Sequence, residues 1–141
     1  MTHPQAQSSS TQIKGPGIFL AQFCQDNAPF NNLKDICQWV SGLGYKAVQI
    51  PTWDKRLFNL ELAFESKSYC EEVNGIVADA GLSISELSTH LQGQLIAVHP
   101  AYDKQFDAFA VEEVRNNPQA RTEWAKEQMF MAAKVSQTLG L

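Results

Sequence analysis

The sequence predicts an α/β fold with parallel strands, and three observations carry that expectation. A helix-patterned stretch ends in glycine and runs into a strand-patterned stretch at GLGYKAVQI and again at DAGLSISEL. The same junction returns at TLGL, the last residues of the chain. The order strand–helix, three times over, implies parallel strands joined by right-handed crossovers. The length of 141 residues suits one domain with a sizeable core.

The elements follow in order. Residues 1 to 14 are rich in Ser, Gln and Thr and predict a disordered tail; they lack the apolar stretch of a signal peptide. The run IFLAQF, between Gly-Pro-Gly and polar turn residues, predicts a first strand over 17–23. Leu33, Ile36, Cys37, Val40 and Leu43 recur at helical spacing, with Asn31 or Asn32 as N-cap and Gly44 just past the end. A second strand is predicted over 46–51, closed by Pro51. The stretch TWDKRLFNLELAFES fits a loop or a helical turn. Tyr69, Val73, Ile76, Val77 and Ala80 share the face of a second helix that Gly81 ends, and a third strand is predicted over 83–90. A long loop is expected from Gln92 to Pro118, then a helix with Trp124, Gln128, Met131, Ala132, Val135 and Leu139 in one stripe. Three parallel strands with both edges open leave apolar surface uncovered, so the repeat predicts a fourth strand after Leu141 and, for this chain alone, poor solubility or oligomers.

Composition narrows the function. The 11 basic against 15 acidic residues, a net charge of −4, argue against a phosphate-binding nucleic-acid surface. No run has transmembrane length. The three cysteines, Cys24, Cys37 and Cys70, suggest neither a disulfide framework nor a zinc knuckle, which predicts reduced thiols and a cytoplasmic protein. Cys24 shows no sequence sign of an activating base. GLGYKA matches the dinucleotide fingerprint in letters alone. It follows a helix and opens a strand, the reverse of what that fingerprint requires.

The third strand is too polar for one covered on both faces. Two-residue alternation sets Ile84, Glu86, Ser88 and His90 on one side, and Ser85, Leu87 and Thr89 on the other. A Glu-Ser-His row needs polar partners or water. His90 is expected at the carboxyl end of its strand, where parallel α/β folds bind ligands. Gln22 from the first strand, and Gln49, Trp53 and Asp54 from the second, converge on the same rim. His90 is therefore the candidate catalytic residue, with Gln22, Gln49, Trp53, Glu86 and His99 as candidate substrate contacts. Each has a plainer alternative: a structural hydrogen bond for the histidines and glutamines, packing for Trp53, orientation of a neighbour for Glu86. His99 and Asp103, four apart, are weak evidence for a metal and better explained as loop hydrogen bonding.

The pieces FLAQF, GYKAVQIPTWD, LSTHLQGQLIAVHP and NPQARTEWAKEQM, in that order, resemble the N-terminal part of the sugar phosphate isomerase/epimerase family, over residues 15–141. The resemblance implies a partial (β/α)8 TIM barrel of the xylose isomerase-like type. A whole barrel takes about 250 residues, so this chain would supply the first three βα units. The resemblance also implies isomerisation or epimerisation of a sugar or sugar derivative by proton transfer, with a divalent metal (Mn, Zn, Co or Mg) at the barrel mouth. In the family its main ligands come from strands four to eight, outside this chain. His90 matches the family's third-strand histidine, near the sugar or the metal, and Gln49 a rim position on the second strand. The alternatives are a non-catalytic sugar-binding or assembly module, and an endonuclease IV-like nuclease. The nuclease needs more than the three histidines present and a basic surface.

Overall fold

The computed structural model describes residues 13–141. The tail expected over residues 1 to 14 falls on residues 1–12, outside the described residues, and on Ile13 and Lys14, which are exposed.

Three strands form one parallel sheet in the order β1–β2–β3: β1 (Gly17–Phe19), β2 (Ala47–Pro51) and β3 (Ser83–Ser88). Helices α1 (Leu33–Gly42), α2 (Leu60–Glu65), α3 (Lys67–Asp79), α4 (His90–Gly93), α5 (Asp103–Phe106) and α6 (Pro118–Leu139) alternate with them. Asn32 caps α1 by accepting from the Asp35 N–H at 2.9 Å, which satisfies a donor that the first turn leaves free.

The repeated junction has one backbone geometry. Gly44, Gly81 and Gly140 hold φ of +90°, +74° and +83°, the left-handed conformation in which a Cβ is costly. The residue after the second and third glycines turns back onto its helix in the same way: Leu82 N–H donates to Val77 O at 3.1 Å, and Leu141 N–H to Ser136 O at 3.0 Å. Each of the first two glycines delivers the chain to the next parallel strand.

Two strands are shorter than their patterns predicted. β1 ends at Phe19, and Leu20–Phe23 wind into a 3-10 turn. β3 ends at Ser88, and His90 opens α4. The predicted alternation along β3 also fails. Val48 pairs with Ile84, but Gln49 pairs with Glu86, so Ser85 is an extra residue and its hydroxyl donates to Val48 O at 3.1 Å. A bulge of this kind reverses the facing of everything beyond it. Ile84 therefore shares the Val48–Ile50 side with Leu87, not with Glu86 and Ser88.

That side carries the main core. Leu20, Ile36, Val40, Val48, Ile50, Phe58, Leu60, Val73 and Val77 are buried there, with Ala132, Val135 and Leu139 of α6. A smaller cluster of Leu95, Ala110 and Ala125, with Val98, Phe106, Val114 and Trp124, fastens the segment after β3 onto α6. The long loop expected there is instead a chain of short helical turns, from α4 through Glu112–Val114.

Candidate functional site

The site is the side of the sheet away from the main core. Strand pairing places Gly17 and Phe19 of β1, Ala47 and Gln49 of β2, and Glu86 and Ser88 of β3 on it. Glu86 is exposed and Gln49 half-buried. The Gln49 amide donates to the Glu86 carboxylate, a bond that joins the middle strand to the third across the open side.

Just past the strand ends stands a ring cluster. The Trp53 indole meets Phe19 edge-on at 6.1 Å and 76°, and lies 6.5 Å from the His90 imidazole at 56°. Trp53 is half-buried and His90 exposed, so one presents an apolar face and the other a polar edge. Phe19 reaches the ring cluster because β1 ends at it; a strand running on to residue 23 would place it away from the rim.

Beside the cluster, Asp54 receives Arg56 in a two-pronged contact, Nε to Oδ1 at 2.9 Å and Nη2 to Oδ2 at 2.6 Å. Arg56 also reaches Asp26 at 2.6 Å. The Arg56 hydrogen bonds hold the Asp54 carboxyl below the usual carboxylate range, against the opposing effect of burial. The neighbouring Cys24 thiol is pushed up to about 12, first by burial and then by the Asp54 charge. Both effects favour the thiol over the reactive thiolate at neutral pH.

Two sequence candidates lie elsewhere. Gln22 sits exposed on the 3-10 turn after β1 rather than at a strand end. His99 caps the turn at Pro100–Tyr102: its Nδ1 accepts from Ala101 N–H at 3.2 Å, and its ring packs on Tyr102 at 6.0 Å. This is the loop hydrogen bonding that the spacing suggested. Asp103 does not pair with His99 in any metal arrangement; its carboxylate, with that of Asp107 at 2.7 Å, holds Arg121.

Among the described residues no three His, Cys, Asp or Glu side chains converge to hold a metal ion. Among the described residues Glu86 is the only carboxylate on the strands' open side, and it is engaged by Gln49. The donors present do not fit a divalent cation, so no chemical step is derived through one. No helix among the described residues is long and apolar enough to cross a membrane.

No family model matches this chain, and no curated protein matches it in sequence.

Proposed function

We propose that these three βα units form the N-terminal part of a sugar or sugar-derivative isomerase or epimerase with a TIM barrel, and that the open side of the sheet faces its substrate. The observation that carries this reading is the polar pair Gln49–Glu86 on the uncovered side of a parallel sheet, with the Trp53–His90 rings at the carboxyl ends of the strands. An amide and a carboxylate side by side offer donor and acceptor to neighbouring hydroxyls. An indole offers an apolar surface to the C–H face of a sugar ring. His90, exposed at the rim, is suited to hydrogen-bond a hydroxyl or to act as a general acid or base. The order of the sequence pieces that resemble the family supports the same reading. The metal that the resemblance implies would need donors beyond those this chain brings together.

Saturation-transfer NMR of the chain against a panel of aldoses, ketoses and sugar phosphates tests the binding. Transfer to ring protons that Trp53→Ala and Glu86→Ala abolish is expected. No transfer to any sugar would sink the reading. Proton transfer is tested in the whole barrel, with the strands that follow these three units, by deuterium incorporation at the carbon next to the carbonyl in D2O. His90→Ala should lower that rate about a hundredfold if the imidazole is the acid/base group. His90→Gln keeps a hydrogen bond without the proton and separates that role from binding. Sugar binding without exchange would favour the non-catalytic sugar-binding module instead.

A further inference from the structure

Under the ring cluster lies a buried polar link between two strand ends. Thr52 and Gln92 are 4% and 3% exposed, and Ser88 is buried beside them. The Thr52 N–H donates to Ser88 O at 3.0 Å, extending the ladder one residue past β2. The Thr52 hydroxyl donates to the same carbonyl at 2.9 Å, and the Gln92 amide Nε2 donates to the Thr52 oxygen at 3.0 Å. The hydroxyl has one proton, so the 3.3 Å approach to Gln92 Oε1 goes unused in this arrangement.

The link is one residue from Trp53 and two from His90. Trp53 follows Thr52 directly, and His90 precedes Gln92 by two residues in the single turn of α4. Inward side chains are thus tied together while outward ones form the pair at 6.5 Å. Val and Leu would fill the same space without the cost of burying a hydroxyl and an amide. Apolar packing, however, has no preferred direction, whereas hydrogen bonds have strict distance and angle.

We propose that Thr52 and Gln92 are positioning residues: their buried hydrogen bond fixes α4 against the end of β2 and so sets the spacing of the Trp53 and His90 rings. The importance of that spacing rests on the proposed function above; the link itself does not.

The test is NMR on the full chain with 13C-labelled Trp and His, in the absence of any sugar. The wild type should show ring-to-ring NOEs between Trp53 and His90. Thr52→Val should stay folded by far-UV circular dichroism and lose those NOEs several-fold, because the effect falls steeply with distance. Thr52→Ser, which keeps the hydroxyl, should restore them. Where Thr52→Val does not fold, Gln92→Leu against Gln92→Glu gives the same comparison, since Glu retains an acceptor and, protonated, a donor. A folded Thr52→Val or Gln92→Leu with wild-type NOEs would overturn the proposal and leave the pair a plain stabilising contact. A chain that binds no sugar yet shows the expected NOE pattern would overturn the functional reading alone.

Discussion

The two sides of the sheet differ in what holds them. On the helix side, Val48, Ile50, Ile84 and Leu87 meet the apolar stripes of α1, α3 and α6. On the other side, Gln49 and Glu86 meet each other, and no residue of that side joins the main core cluster. Burial of apolar area stabilises the first at roughly 25 cal/mol per Å2, and on the second only the small Ala47 side chain is buried in this way. A three-stranded sheet is thus built by one side and left available for chemistry on the other. Residues of the open side are consequently free to be chosen for what they bind.

The sharpest way to break that contrast is a core truncation. Ile50 is 0% exposed, and Ile50→Ala should cost about 4 kcal/mol, toward the top of the range for such truncations. Urea unfolding measures it; a loss under about 1 kcal/mol would mean that the helix side is not the principal core.

Next in size is the clasp beyond the sheet. Arg121 is 1% exposed and binds Asp103 and Asp107, with its Nε lacking a partner. Removing one member of a buried pair strands the others, so Arg121→Ala should cost about 3 kcal/mol. Amide exchange should localise the loosening to residues 94–117 and spare the sheet. Arg121 holds the Asp107 carboxyl below the usual carboxylate range. A depressed folded value stabilises the clasp above the unfolded pKa of about 3.9. That contribution is lost as pH falls below about 4 and through the folded value. Exchange in the same segment should quicken in acid before the sheet responds, and Asp107→Asn should blunt that dependence.

The bulge gives a smaller and more diagnostic effect. Deleting Ser85 leaves Ile84 opposite Val48 and Glu86 opposite Gln49 in a regular ladder. The cost should be about 1 kcal/mol, for the lost hydroxyl bond, with the Gln49–Glu86 pair retained in the NMR spectrum. Deleting Glu86 instead would set Ser85 opposite Gln49 and, on the proposed function, abolish sugar binding. The smallest effect belongs to the open side itself. Gln49→Ala and Glu86→Gln should each move stability by no more than about 0.5 kcal/mol, as surface substitutions do, while weakening sugar binding. A large stability loss from either would erase the contrast between the two sides.

Much of the fold was legible because its signals are local. Helical spacing, an Asn at the start of α1 and a left-handed glycine at three helix ends depend on residues a few positions apart. Backbone sterics and capping act over that range in any surroundings. The same local signals brought out Gln49, Glu86, Trp53 and His90. Of these, Gln49 and Glu86 lie on the open side and Trp53 and His90 just past the strand ends, while Gln22 sits on a turn and His99 makes the loop hydrogen bond that its spacing suggested.

What only the tertiary structure decided involves partners far apart along the chain. The extra residue at Ser85 exists only in relation to Val48 and Gln49, and alternation cannot reveal it because alternation assumes an unbroken ladder. The Arg121 clasp spans 14 and 18 residues, and the Thr52–Gln92 link spans 40. A buried Arg, Thr or Gln looks like any surface residue until its partner is folded against it. Composition and periodicity register the average environment of a stretch of chain. A hydrogen bond between distant side chains depends instead on one distance and one angle, and the packing of the whole chain sets both.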